Sequence, residues 1–209
     1  MKIVVFGASG GTGIEVVKQA LAAGHKVKAF VRNPAKAATS HPNLCIVQGD
    51  VLDAAAVEKA VEGQEAIVSA LGPTRPPVPG AMETAARNIL AAMQKHGIRR
   101  LISTTGAGVR DPRDRPKLMD HLMKGLLTLL AADVLQDSAA NVAIFRASDI
   151  DWTIVRFPRL MDGPHTGKYR VGYVGKDSGS QLSRADGADF MLKELAEEKY
   201  IHQMPIISY

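Results

Sequence analysis

Lys2-Ile3-Val4-Val5-Phe6-Gly7-Ala8-Ser9-Gly10-Gly11-Thr12-Gly13 is the stretch that decides the fold. It is an apolar run of strand type, then a loop with glycines at its first, fourth and seventh positions, then a helical pattern from about Gly13 to Ala23. Glycine permits a tight turn and close approach of a ligand's phosphates to the backbone. The helix that follows offers free N–H groups and the positive end of its dipole to negative charge. The setting between a strand and a helix lifts this glycine pattern above a chance match. Gly7, Ser9, Gly10, Gly11, Thr12 and Gly13 are therefore candidate diphosphate-binding residues, with the Ser9 and Thr12 hydroxyls as added donors.

Gly24 closes the helix, and His25 to Val31 reads as a second strand ending in Phe30-Val31-Arg32. In dinucleotide-binding folds an acidic residue about twenty positions past the loop accepts hydrogen bonds from the ribose hydroxyls, whereas an arginine there accommodates a 2′-phosphate. No Asp or Glu lies between Val16 and Gln48. Arg32, helped by Lys36, can pair with a phosphate, so the expected cofactor is NADPH or NADP, with NADH less suited.

Apolar runs alternate with helical patterns over most of the chain, the rhythm of βαβ units. Strands are expected at Leu44 to Gln48, Glu65 to Leu71, Arg99 to Thr105, Trp152 to Arg156 and Met204 to Ser208, and a short excursion or hairpin at Tyr169 to Val174. Helices are expected at Asp53 to Val61, Ala81 to His96 and Ser183 to Glu198, with two more between Lys117 and Ala147. Leu118, Leu122, Leu126, Leu129 and Leu130 recur there at helical spacing and read as core-facing. The four prolines between Pro73 and Gly80 make that segment a stiff loop. The fold class is α/β: a Rossmann-type, doubly wound, mainly parallel sheet with helices on both faces. It forms a single NAD(P)-binding domain over residues 1–209, with small substrate-pocket elements at about 157–185.

Charge and cysteine content narrow the setting. Lys and Arg number 26 against 21 Asp and Glu, a formal charge of +5 that favours anionic ligands. The basic residues are scattered, as in Arg99-Arg100 and Arg110 to Arg115, with few aromatics, so the footprint of a nucleic-acid binder is missing. Cys45 is the one cysteine, which excludes an intrachain disulfide and fits a reducing cytoplasm; within Leu44-Cys45-Ile46-Val47 it reads as a buried strand thiol. No run approaches the roughly 18 to 20 apolar residues of a membrane span, and the N-terminus opens on a strand without a signal pattern, so neither export nor membrane insertion is expected. The histidines are dispersed and no metal site is expected.

Further carboxyl ends of the same sheet carry Gly49-Asp50-Val51 and Leu71-Gly72, placed to reach an adenine and the far ribose. A Tyr-x-x-x-Lys pair, in which lysine lowers the tyrosine pKa for proton delivery, does not occur. Tyr169 and Tyr173 have no lysine four residues on, which argues against a ketone or alcohol dehydrogenase. A flavin or quinone takes hydride into a conjugated system and can draw its proton from water, so a protein serving it needs chiefly to orient two rings. No catalytic residue is assigned.

With Gly7 to Gly13, Val31-Arg32, Gly49-Asp50-Val51-Leu52, Leu71-Gly72, Ala86-Arg87-Asn88-Ile89, His96-Gly97, Asp111-Pro112 and Thr166-Gly167-Lys168-Tyr169 in view, the chain resembles the atypical short-chain dehydrogenase/reductases over nearly its whole length. The likeness is to NmrA-like proteins and the flavin reductase/biliverdin-IXβ reductase branch. That resemblance implies cofactor contacts from the loop residues, Arg32, Lys36, Asp50, Val51, Leu71, Gly72 and Arg87, with Arg159 and Leu160 beside the nicotinamide. It also implies a pocket lined by Arg75, Gly106, Arg110 and Arg159. Where the branch has a serine after the fifth strand this chain has Gly106, and Arg110 and Arg159 stand at its pocket tryptophan and histidine, which puts tetrapyrrole specificity in doubt. The expected activity is hydride transfer from NADPH to a flavin, quinone or similar conjugated small molecule by a monomer; the alternative is an NmrA-like sensor that binds NADP(H) without turnover.

Overall fold

The computed structural model describes residues 1–36, 40–73, 76–116 and 118–209, and the side-chain description excludes Lys36 and residues 118–131. In chain order the strands are β1 (Lys2–Phe6), β2 (Lys26–Val31), β3 (Leu44–Gln48), β4 (Ala66–Ser69), β5 (Arg100–Gly106), β6 (Asp151–Phe157), β7 (Arg159–Met161), β8 (Arg170–Gly172), β9 (Gln181–Ser183) and β10 (Ile206–Ser208). The helices are α1 (Gly11–Ala22), α2 (Ala54–Val61), α3 (Ala81–His96), α4 (Leu118–Arg146) and α5 (Arg184–Glu197).

Eight strands form one sheet in the order β3-β2-β1-β4-β5-β6-β10-β8, all parallel except the β10–β8 pair. The chain winds outward from β1 to β3, then crosses back to β4 on the other side of β1. This reversal leaves a crevice at the carboxyl ends of β1 and β4, where open α/β sheets bind ligands.

Strand alternation divides the core. Ile3 and Val5 of β1 face Val16, Val17 and Ala20 of α1 and Met191 and Leu195 of α5. Val4 and Phe6 face Val57 and Val61 of α2, Ile89 and Met93 of α3, and Phe145 of α4. Both faces are covered, which is why β1 reads as an unbroken apolar run rather than an alternating one. Trp152 is buried among the residues on the Val4 and Phe6 side of the sheet, beside the His202 ring.

Two expectations change and a third is narrowed. The segment from 118 to 146 is one helix, not two: Gly125 weakens a helix by about 1 kcal/mol but does not break it. The leucine pattern at its start lies outside the described side chains. Cys45 is exposed rather than buried, because β3 is the sheet's edge and only part of it is covered by helices. Of the two alternatives for Tyr169 to Val174, an excursion or a hairpin, the structure shows the second in part: Tyr173 and Lys176 close a tight antiparallel turn, while β8 joins the main sheet as its antiparallel edge and a separate pair, β7–β9, forms beside it.

Candidate active site

The loop from Gly7 to Gly10 leaves β1 in the reversal crevice. Gly7 takes a φ of +74°, and a Cβ there would stand 2.7 Å from the Ala70 carbonyl oxygen of the neighbouring strand end. A Cβ on Gly13 would come within 2.1 Å of the Gly7 carbonyl oxygen, so only glycine lets α1 begin against its own loop. Gly10 caps α1 without a side-chain hydrogen bond, and the first turn carries no acid. The helix N-terminus is thus open and electropositive, the geometry a diphosphate requires.

Beyond it lies a cavity of about 340 Å³ walled by Thr12, Ala70, Leu71, Gly72, Pro73, Met82, Thr104, Thr105, Gly106, Ser138, Asn141, Phe157, Pro158, Leu160 and Arg184. That volume suits a small molecule or one end of a cofactor. Asp137 of α4 fixes one wall by accepting from the Met82 and Glu83 N–H groups, each at 3.0 Å, which satisfies the open start of α3. Asn141 adds a bond from Nδ2 to the Met82 carbonyl at 2.8 Å.

The loop after β5 is held by a buried ion pair. Arg156 of β6 is fully buried and meets both carboxylate oxygens of Asp114 at 2.8 and 2.7 Å. The Asp114 carboxylate also accepts from the Asp111 and Val174 N–H groups, while Arg156 Nε donates to the Met204 carbonyl at 2.8 Å. Burial works against the charged carboxylate, yet these bonds hold its pKa below the usual value. Asp186 at the start of α5 accepts from Thr166 N–H and hydroxyl, Gly167 N–H and the Tyr209 hydroxyl. Burial opposes that carboxylate too, but the hydrogen bonds bring its pKa down to about 2.

Of the residues singled out in the sequence, the structure brings Thr12, Leu71, Gly72, Gly106 and Leu160 together in the cavity wall. Arg32 is exposed at the end of β2, and Val51 is fixed by a bond from Asn88 Nδ2 to its carbonyl at 2.9 Å. The Asp50 carboxylate accepts from Leu52 N–H at 2.9 Å, shaping that turn. Other expected residues stand apart. Arg87 lies exposed on α3, its Nη2 2.7 Å from Glu83. Arg159 is exposed between Pro158 and Leu160, which do line the cavity, because successive strand residues point to opposite sides. Arg110 is exposed on its loop and outside the wall. Arg75 lies outside the described residues, as does the side chain of Lys36.

The sequence reading missed Arg184, the charged side chain among the described residues of the wall, and Thr105, whose buried hydroxyl has no hydrogen-bond partner among them. Asn88 was in view only as part of the Ala86-Arg87-Asn88-Ile89 segment. Tyr169 is tied to Asp189 at 2.7 Å away from the cavity wall, with Lys193 on the same carboxylate. Burial and that carboxylate push the Tyr169 phenol far up, the reverse of a lysine-activated proton donor.

The chain belongs to the NAD(P)H-binding family, which it matches over residues 7–198. It is 29% identical over 211 residues to the uncharacterized protein YwnB of Bacillus subtilis, across 96% of this chain and 94% of that one. Its fold superimposes on a short-chain dehydrogenase/reductase from Veillonella parvula in complex with NADP, at a TM-score of 0.83 and 18% identity over 100% of this chain and 94% of that one. It also matches ChuY, an anaerobillin reductase from Escherichia coli, at a TM-score of 0.77 and 23% identity over 99% and 96% of the two chains. Both structural likenesses are of fold. Among the described residues, no helix is long and apolar enough to cross a membrane.

Proposed function

We propose that this protein is an NADPH-dependent reductase that delivers hydride to a flavin, quinone or similar conjugated acceptor. The observation that carries the reading is the composition of the cavity wall. It opens beside the diphosphate loop, and its described residues are apolar side chains, hydroxyls, an amide and one arginine, with no tyrosine, histidine or carboxylate to deliver a proton. A nicotinamide cofactor supplies hydride when bound; the protein orients the two partners and excludes water. Leu71, Phe157, Pro158 and Leu160 offer flat apolar surface for a ring, while the Thr104 and Thr105 hydroxyls stand at the end of β5.

The preference for NADPH rests on Arg32 and on the missing acid. Arg32 forms no ion pair among the described residues, and a free 2′-hydroxyl would find no carboxylate on this strand end. Gly7, Ser9, Gly10, Gly11, Thr12 and Gly13 hold the diphosphate in this reading, Asp50 and Val51 bound the adenine, and Leu71 and Gly72 approach the far ribose. The 157–185 segment supplies the acceptor side. ChuY, a reductase of the same fold, supports the class of activity, and the scattered basic residues support a small molecule rather than nucleic acid as partner. A cytoplasmic monomer is the setting that goes with it.

Titration with NADPH and NADH, followed by the reduced-nicotinamide absorbance with FMN, FAD and a small quinone added in turn, tests the reading. Selective NADPH binding with acceptor-dependent oxidation is expected. Selective binding without oxidation of any acceptor would replace the reductase with a sensor that reports the NADP(H) state, and preference for NADH would remove Arg32 from the cofactor site.

A further inference from the structure

We infer that Arg184 is a movable cation for the cofactor's diphosphate, held between uses by Asp162. The inference rests on the NAD(P)H site proposed above but not on turnover.

Gly11 leads to it. Gly7 is required by its backbone conformation and Gly13 by close packing, but Gly11 is the first residue of α1, without a positive φ, and no backbone atom crowds it. Glycine is the poorest helix former after proline. What a Cβ at Gly11 would meet is Arg184: its Cδ and Nε lie 2.8 Å from that position. The missing side chain makes room for an arginine stem laid across the N-terminal turn that faces the diphosphate.

Arg184 reaches this place from the far end of the chain. It is the first residue of α5, whose N-terminus is fixed by the Ser183 cap and by Gln19 Nε2 of α1 donating to the Ala185 carbonyl at 2.8 Å. Its stem is therefore anchored over the loop while the guanidinium at its end can turn. In this structure Nη1 donates to Asp162 Oδ1 at 2.6 Å, and Asp162 is 96% exposed against 30% for Arg184. A pair so open to water holds weakly. A diphosphate at the α1 N-terminus carries more negative charge than one solvated carboxylate and can accept two parallel bonds from the fork. Arg184 then leaves Asp162 for the phosphates and closes the loop over them.

This assigns the two arginines different tasks. Arg32 distinguishes NADPH from NADH; Arg184 reads the diphosphate that both share.

Calorimetric titration of NADPH and NADH into the unaltered protein, Arg184→Gln, Asp162→Asn and the double variant tests the inference. Arg184→Gln is expected to weaken both dinucleotides by the same factor, about tenfold. Asp162→Asn is expected to tighten both by up to about fivefold, because the competing partner of a surface pair is gone. The double variant is expected to bind as Arg184→Gln alone. Unchanged affinity in Arg184→Gln would overturn the inference, and so would weaker binding in Asp162→Asn, which would make the pair a structural strap. Should Arg184→Gln not fold, the tightening in Asp162→Asn, at an exposed position, decides the question. Binding without oxidation of any acceptor removes the reductase reading and leaves this one standing; binding of neither dinucleotide by the unaltered protein overturns both.

Discussion

Two arginine–aspartate pairs, Arg156–Asp114 and Arg184–Asp162, differ in almost everything except their chemistry. Arg156 and Asp114 are 0% and 8% exposed, bonded fork to carboxylate, with the Val109 and Met204 carbonyls and the Asp111 and Val174 N–H groups also bonded to the pair. Arg184 and Asp162 meet through one 2.6 Å bond, with Asp162 almost wholly in water. The first pair is a fixed bolt on the loop after β5, because separating it would leave a charge buried without a partner. The second is exchangeable, because water replaces either partner at little cost. Burial, rather than the identity of the residues, decides which cation is structural and which is available to a ligand.

The largest expected effect comes from breaking the buried pair. Asp114→Ala should lower unfolding stability by about 3 to 5 kcal/mol, since the Arg156 guanidinium would remain buried and uncompensated; chemical denaturation measures it, and a loss below about 1 kcal/mol would mean water reaches Arg156. Asp186 is the intermediate case. Its pKa is depressed to about 2 in the folded protein from 3.8, so the stability it adds is present above pH 4 and is lost as pH falls toward 2. That contribution is about 2 kcal/mol, and Asp186→Asn should flatten the pH dependence of stability in this window. A slope identical to the unaltered protein's would show that the hydrogen bonds do not favour the charged form.

Thr105→Val sharpens the comparison inside the cavity. The hydroxyl has no partner among the described residues, so its removal should leave stability within about 1 kcal/mol, while acceptor turnover falls if the hydroxyl orients the acceptor. Unaltered turnover would release Thr105 from any part in the reaction. The smallest effect is expected from the open pair: Asp162→Asn should change unfolding stability by less than about 0.5 kcal/mol. A loss comparable to that of Asp114→Ala would abolish the distinction between the two pairs.

The glycine loop between β1 and α1 was legible because its requirements are local. A positive φ at Gly7 and the contact of Gly13 with the Gly7 carbonyl involve residues a few positions apart, and only glycine satisfies them. The order of the central strands was legible too, because parallel crossovers admit few arrangements. Cys45 was misread because an apolar strand looks alike at the edge and the centre of a sheet; the exposed face of β3 is set by which helices cover it. Arg159 and Arg184 show the same limit at the site. Both lie near the pocket in the chain, but strand alternation turns Arg159 outward, while the packing of α5 on α1 lays Arg184 over Gly11.

What the amino-acid order determined by itself is the doubly wound sheet, the glycine loop between β1 and α1 and the absence of an acid at the end of β2. Each follows from spacing, backbone conformation or the presence of one residue type. What the tertiary structure decided is which charged groups reach the cavity: Arg156 withdrawn into a buried pair, Arg87 onto α3 beside Glu83, and Arg184 onto the loop. A side chain's direction and burial depend on elements distant in sequence, and the strength of a charge depends on the water those elements leave around it.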